Sequence, residues 1–163
     1  MITFEEGEKR FTYRVAGIAL DVDRVLLLRT EKDDFWFLPG GRVELLEPSQ
    51  DALIREMQEE LKVEVHVERL VWVVENFFEY EGRSYHELAL YFLMSFLPDS
   101  HLHEKSEAFL GSEEGLKLIF KWHPLDELEE IPLYPTFLRR RLNSIPQITE
   151  HIVHTTDDQE PNP

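Results

Sequence analysis

The order of segments along this 163-residue chain predicts a mixed α/β domain, with β-type runs on both sides of one amphipathic helix. Three observations carry the prediction. Strand-like runs occupy residues 12–20, 24–29, 63–80 and 88–97, good helix formers follow Pro48 to about Leu61, and glycine or proline punctuates between them.

Residues 12–20 and 24–29 read as two strands around a turn at Asp21 to Asp23. The short apolar run Phe35 to Leu38 is stopped by Pro39-Gly40-Gly41. Pro48 suits a first helical turn, where its missing N–H would have no partner anyway, and the helix continues to about Leu61. Val63 to Tyr80 and residues 88–97 make the two arms of a long hairpin, with Glu81-Gly82 at its turn. Residues 98–115 are polar with two glycines and are expected to form a loop. Leu116 to Trp122 reads as a last strand and Pro135 to Leu142 as a short helix. Residues 1–150 are expected to make a single domain, and 151–163 a disordered acidic tail.

Net charge is −16, from 17 basic and 33 acidic residues, which repels nucleic-acid backbones and anionic membranes. A small anionic ligand could approach such a surface only where cations screen it. There is no cysteine, which removes disulfides and thiolate metal sites. The acidic N-terminus lacks a secretion signal, and the run Leu88 to Leu97 is far short of the ~18 apolar residues that span a bilayer. A cytoplasmic protein is expected, with a small nucleotide as partner, no nucleic-acid polymer and no membrane; a homodimer stays open.

The helix carries the chemistry. At 100° per residue, with Leu53 at 0°, Met57, Leu61 and Ile54 fall at about 40°, 80° and 100° and form an apolar stripe. Glu60, Glu56 and Glu59 fall at about −20°, −60° and −120°, an arc of three carboxylates with small Ala52 among them. Such an acidic face is usually solvated decoration. Here Arg55 can neutralise only part of the cluster, and a hard cation resolves the repulsion better. Gly40-Gly41 could bring a backbone carbonyl to the same ion.

The stretch from Gly41 to Val63 resembles the Nudix box. Its pattern is Gly, five residues, Glu, seven residues, Arg-Glu, an apolar residue, one residue, Glu-Glu, one residue, Gly, an apolar residue. Gly41, Glu47, Arg55, Glu56, Met57, Glu59, Glu60 and Val63 match it, and Lys62 stands where the family has glycine. A glycine there ends the helix in a left-handed conformation, so lysine implies either strain of roughly 1 kcal/mol or a remodelled helix end. Arg29, Trp36, Leu38 to Gly41 and Glu44 resemble the family's approach to the box, and Trp122 to Leu128 followed by Pro135 its C-terminal segment.

The resemblance implies an α/β/α sandwich around a mixed sheet and a hydrolase of phosphoanhydride bonds in nucleoside diphosphate-linked compounds or nucleoside triphosphates. It implies Glu56, Glu59, Glu60 and the Gly40 carbonyl as ligands of Mg²⁺ or Mn²⁺, with Glu56, Glu59 and Arg55 as catalytic residues. Arg55 and Glu47 serve as supports of the carboxylates. The general base stays open between Glu56 and a loop glutamate among Glu104, Glu107, Glu113 and Glu114. Arg29 and Arg42 are candidate phosphate contacts, and Trp36 and Tyr80 candidate stacking surfaces for a base. The proline that marks ADP-ribose-specific relatives is absent, with Glu79 in its place. The competing readings are a catalytically silent binding module, which the intact box glutamates oppose, and an isomerase, for which the catalytic cysteine is missing.

Overall fold

The computed structural model describes residues 1–113 and 115–155, and among them nine strands join in one mixed sheet. In chain order they are β1 (Thr3–Glu6), β2 (Lys9–Asp21), β3 (Arg24–Thr30), β4 (Gly40–Arg42), β5 (Val65–Tyr80), β6 (Arg83–Phe96), β7 (Phe109–Glu113), β8 (Leu116–Pro124) and β9 (Glu150–Thr155). Helix α1 spans Ser49–Leu61 and α2 Leu138–Arg141, and 3₁₀ turns occupy His101–Glu104 and Leu125–Glu130. The strand order is β7-β8-β3-β2-β6-β5-β9.

Strand β2 organises the sheet. One of its edges runs parallel to β6, from Lys9↔Ser84 to Ala19↔Met94. The other edge is shared in succession by β1, β4 and β3, and β3 touches it only through Leu20↔Val25 and Asp21↔Arg24. Beyond that corner β3 diverges and pairs with β8 along its whole length. A cleft therefore opens between β4, still on β2, and the β3–β8 wing.

The period of two along each strand sorts side chains to opposite faces. Val15 and Ala19 of β2, with Leu26 and Leu28 of β3, join Leu53 and Met57 of α1 in one core. Ala16 and Ile18, with Val25 and Leu27, face the other way and pack with Trp72, Leu128, Leu133, Leu138 and Leu142. Helical elements on both faces make the α/β/α sandwich. The β5–β6 hairpin forms as expected, and Glu81 and Gly82 at its turn both have positive φ, 49° and 75°, which suits a two-residue hairpin loop.

Three expectations change. Residues 98–115 are not all loop: β7 pairs antiparallel with β8, Gly111 opposite Leu118. A Cβ at Gly111 would crowd the Glu60 carbonyl at 2.8 Å, so the glycine that reads as a loop signal is a close approach of a strand to the end of α1. The segment expected to begin a disordered tail instead starts with a strand, β9, parallel to β5 from Trp72↔Glu150 to Phe77↔Thr155. It satisfies an edge of β5 that would otherwise present bare N–H and C=O groups, and Ile152 packs on the second core. Residues 156–163 of that tail lie outside the described residues. Finally, the helix expected over Pro135 to Leu142 shrinks to the four residues of α2. Among the described residues no helix is long and apolar enough to cross a membrane.

Candidate active site

Helix α1 meets the sheet at β4 and β7, beside the cleft where β3 leaves β2. The helix buries Ala52, Leu53, Met57, Glu60 and Leu61, while Ile54 stays 40% exposed. Its buried face is thus rotated from the apolar stripe towards the carboxylates. Ala52, read as a spacer, is fully buried, and Ile54, read as core, faces solvent. Burial falls along the acidic arc: Glu60 is 5% exposed, the Glu56 side chain 14% and the Glu59 side chain 59%.

The cleft has a volume of about 250 Å³, and its lining includes Gly40, Gly41, Glu56 and Glu60 with Arg14, Arg42 and Phe37. Glycine is required at its floor. Gly40 has φ +153°, and a Cβ there would collide with the Val15 carbonyl. At Gly41 a Cβ would collide with the Glu56 carboxylate, so the box glycine lets that carboxylate lie against the backbone.

Arg55 ties the rim together. Its guanidinium donates to Glu47 at 2.8 and 3.0 Å, to Glu56 at 2.6 Å, to Glu59 at 3.3 Å and to the Arg42 carbonyl at 3.1 Å. The Arg55 bond is the main reason that the Glu47 carboxyl is held below its ordinary range. The Glu56 carboxyl moves the other way: burial pushes it up, and Arg55 opposes this only in part. The helix ends at Lys62, which has φ 57° and ψ 35°, so lysine occupies the left-handed conformation in which the family has glycine. Its Nζ donates to the Glu59 carbonyl at 2.9 Å and helps satisfy the open end of the helix.

The residues expected around the substrate separate into two neighbourhoods. Arg42 lines the cleft, and its guanidinium also reaches the Met1 sulfur. Arg29, Trp36 and Tyr80 are not among the lining residues. They gather around the segment 31–38 that follows β3. Arg29 donates to the Asp33 carbonyl at 3.1 Å and lies over the Trp36 ring at 5.4 Å, and Tyr80 donates its phenol to Asp33 at 2.9 Å. Burial first, then that carboxylate, pushes the Tyr80 phenol up to about 12.

Of the loop glutamates, Glu104 closes the 3₁₀ turn His101–Glu104. The carbonyls of His103 and Lys105 beside it are bound by Arg24, at the end of β3 away from the cleft residue Thr30. Seven strand residues separate those ends by roughly 20 Å. Glu113 ends β7, whose hairpin partner β8 contributes Leu118 to the cleft, and Glu114 lies outside the described residues.

Sequence reasoning missed Arg14. It lines the cleft, donates to the Leu38 carbonyl at 3.2 Å and stands over the Phe37 ring at 5.6 Å. The signal was there: a charge at the centre of the otherwise apolar run Tyr13-Arg14-Val15-Ala16.

Hard oxygen donors fit a hard cation. Among the described residues no three acidic or histidine side chains are drawn together as an ion cage. Two carboxylates in a cleft shared with arginines nevertheless suit Mg²⁺ or Mn²⁺. Mg²⁺ takes one or two carboxylates and leaves its remaining positions to water and phosphate oxygens.

Comparison with known proteins agrees with this fold. Residues 10–143 match the family described as the NUDIX domain. The uncharacterized Nudix hydrolase YvcI of Bacillus subtilis is 30% identical over 126 residues, which cover 77% of this chain and 74% of that one. The fold matches crystal structures of an ADP-ribose pyrophosphatase from Streptococcus suis (TM-score 0.53, 18% identity, 88% of this chain and 98% of that) and a NUDIX hydrolase from Nitrosomonas europaea (TM-score 0.60, 18% identity, 89% and 79%). With the box spacing, the cleft beside α1 and a family match over most of its length, the chain belongs to the Nudix family of hydrolases.

Proposed function

We propose that this Nudix hydrolase cuts a phosphoanhydride bond in a small nucleotide, using divalent cations held by Glu56 and Glu60, the Gly40 carbonyl and, at the rim, Glu59. One observation carries the reading: buried Glu60 and largely buried Glu56 share a cleft with Arg14 and Arg42. Carboxylates repel a pyrophosphate, and arginines alone would be neutralised by the carboxylates. A divalent cation makes the mixed set coherent. Members of the family generally use such ions.

The residues take the following roles. Arg14 and Arg42 present forked donors to non-bridging phosphate oxygens and hold the chain of phosphates along the cleft. Arg55 locks the Glu56 rotamer, with Glu47 as its counterweight. Glu56, lying against the Gly41 backbone and held by Arg55, accepts the proton of the attacking water at its carboxylate. When bound, Mg²⁺ or Mn²⁺ neutralises the pyrophosphate and makes water a better nucleophile at neutral pH.

The ADP-ribose pyrophosphatase matched above, and a UDP-X diphosphatase of similar fold (TM-score 0.60, 18% identity, 86% of this chain and 66% of that), mark the range to screen. The test is a panel of nucleoside triphosphates, dinucleoside polyphosphates, ADP-ribose and UDP-sugars, each with Mg²⁺ and with Mn²⁺, read as phosphate, pyrophosphate or nucleotide release. Metal-dependent release from at least one compound is expected. A panel without any would leave a binding module and sink the hydrolytic reading.

A further inference from the structure

We propose that Asp33 is a positioning residue: it latches the segment 31–38 across the sheet so that Phe37 and Phe35 form an aromatic wall for the nucleoside part of the substrate. The inference rests on the nucleotide reading above and identifies which part of the substrate the wall receives.

Asp33 is occupied at every polar atom. Its Oδ2 accepts from Thr30 at 2.6 Å, its Oδ1 from Tyr80 at 2.9 Å and its carbonyl from Arg29 at 3.1 Å, while its own N–H donates to the Thr30 carbonyl at 3.3 Å. Thr30 ends β3 and Tyr80 ends β5, strands that β2 and β6 separate in the sheet. One side chain thus joins two distant strand ends and draws its segment over the strands between. The far end of the segment is fixed independently, by paired backbone bonds of Phe37 with Leu28 at 2.8 and 2.9 Å and of Trp36 with Pro132 and Tyr134 at 2.8 and 2.9 Å, so the Asp33 latch sets the near end, with Phe35.

Between those anchors the rings form a chain. Phe37 lines the cleft; Phe35 stands 6.1 Å from it, and Tyr80 and Tyr134 stand 6.1 and 5.6 Å from Phe35, both edge-on. Arg14, over the Phe37 ring, joins this wall to the phosphate end. A planar base packed against such a cluster of rings gains whatever its sequence of donors and acceptors.

The experiment compares Asp33→Ala, Asp33→Asn and Tyr80→Phe with the wild-type chain on the best substrate of the panel. Asp33→Ala should raise KM about tenfold and leave kcat within about threefold, since the wall binds ground and transition states alike. Asp33→Asn keeps an acceptor for Tyr80 and should restore KM to within about threefold. Acrylamide quenching of Trp36, which sits in the latched segment while Trp72 and Trp122 are buried, should rise in Asp33→Ala. A fall in kcat at unchanged KM would overturn the proposal, and so would freer Trp36 at unchanged KM. If Asp33→Ala does not fold, Tyr80→Phe, which removes one latch bond, must still raise KM, and an unchanged value overturns the idea. Should the wild-type chain hydrolyse nothing, the hydrolytic reading fails separately. Calorimetric binding of ADP then decides the latch, which stands if Asp33→Ala weakens it about tenfold and falls if ADP binds both chains equally or neither.

Discussion

The two faces of the sheet are made of the same kinds of strand but bury different things. Under α2, Leu128, Leu133, Leu138 and Leu142 close a core with Trp72 and Val74, and its buried histidine, His123, is held neutral. Under α1, the core runs up to a cleft and takes in the Glu60 side chain, Gly41 under the Glu56 carboxylate, Gly40 against the Val15 backbone, and a lysine in a left-handed backbone. The difference teaches where stability is given up. On the α1 side the costly carboxylates and glycines line the cleft, whereas on the α2 side the cost is confined to buried polar rings, His123 and Trp72, inside an apolar core.

Removing packing from the α2 side should have the largest effect on stability and none on chemistry. Leu138 is fully buried, and Leu138→Ala should lose about 2–5 kcal/mol, with turnover per folded molecule within about twofold. Urea midpoints and active-site-normalised rates check this. A variant that stays stable but turns over poorly would break the separation of the two faces.

His123 gives the next effect. Burial lowers its pKa from 6.5 to about 4, and the ring is 6% exposed, so solvent screens little of the cost. Below 6.5 the unfolded chain takes up the proton and the folded one does not. Its contribution is therefore present above 6.5 and drains away as pH falls towards 4, by up to about 3 kcal/mol. The raised carboxyl of Glu56 works in the opposite sense, favouring the fold at low pH. The reading is thus the difference between wild type and His123→Gln, whose denaturation midpoint should vary less between pH 7 and pH 4.5. Parallel pH profiles would count against the buried neutral histidine.

On the α1 side the expected pattern is inverted. Glu60→Gln should cost at least ~100-fold in turnover, about 2.7 kcal/mol, yet leave stability equal or higher, because a neutral amide is cheaper to bury than a carboxylate. Glu59→Gln, at the exposed rim, should cost less than Glu60→Gln. Equal losses at both would sink the ranking by burial.

The smallest effect sharpens the comparison. Lys62 has φ 57°, so Lys62→Gly removes strain and should stabilise the fold by up to about 1 kcal/mol, less whatever the Nζ bond to the Glu59 carbonyl contributes. Activity should stay within a few-fold. A destabilised variant would mean that this lysine holds the helix end chiefly through its side chain.

Much of this was legible in the residues themselves. The spacing from Gly41 to Val63 determines that three carboxylates share one side of a helix, because 100° per residue is a local property of the chain. The Glu81-Gly82 turn and the alternating arms around it determine the central hairpin in the same local way. Tertiary structure alone decided the rest. The order of burial along the acidic arc, with Ala52 inside and Ile54 outside, depends on how α1 rolls against β4 and β7. Strands β7 and β9 exist because partners offer them a ladder, the neighbouring β8 through Leu118 to Gly111 and the distant β5 through Val74 to Ile152, which a polar local sequence does not announce. Arg29, Trp36 and Tyr80 fall around Asp33 instead of lining the cleft, and Arg14 enters it, because β3 parts from β2 after two residue pairs and the segment beyond it crosses the sheet. Local propensity has no term for where two strands separate, and in this chain that separation makes the site.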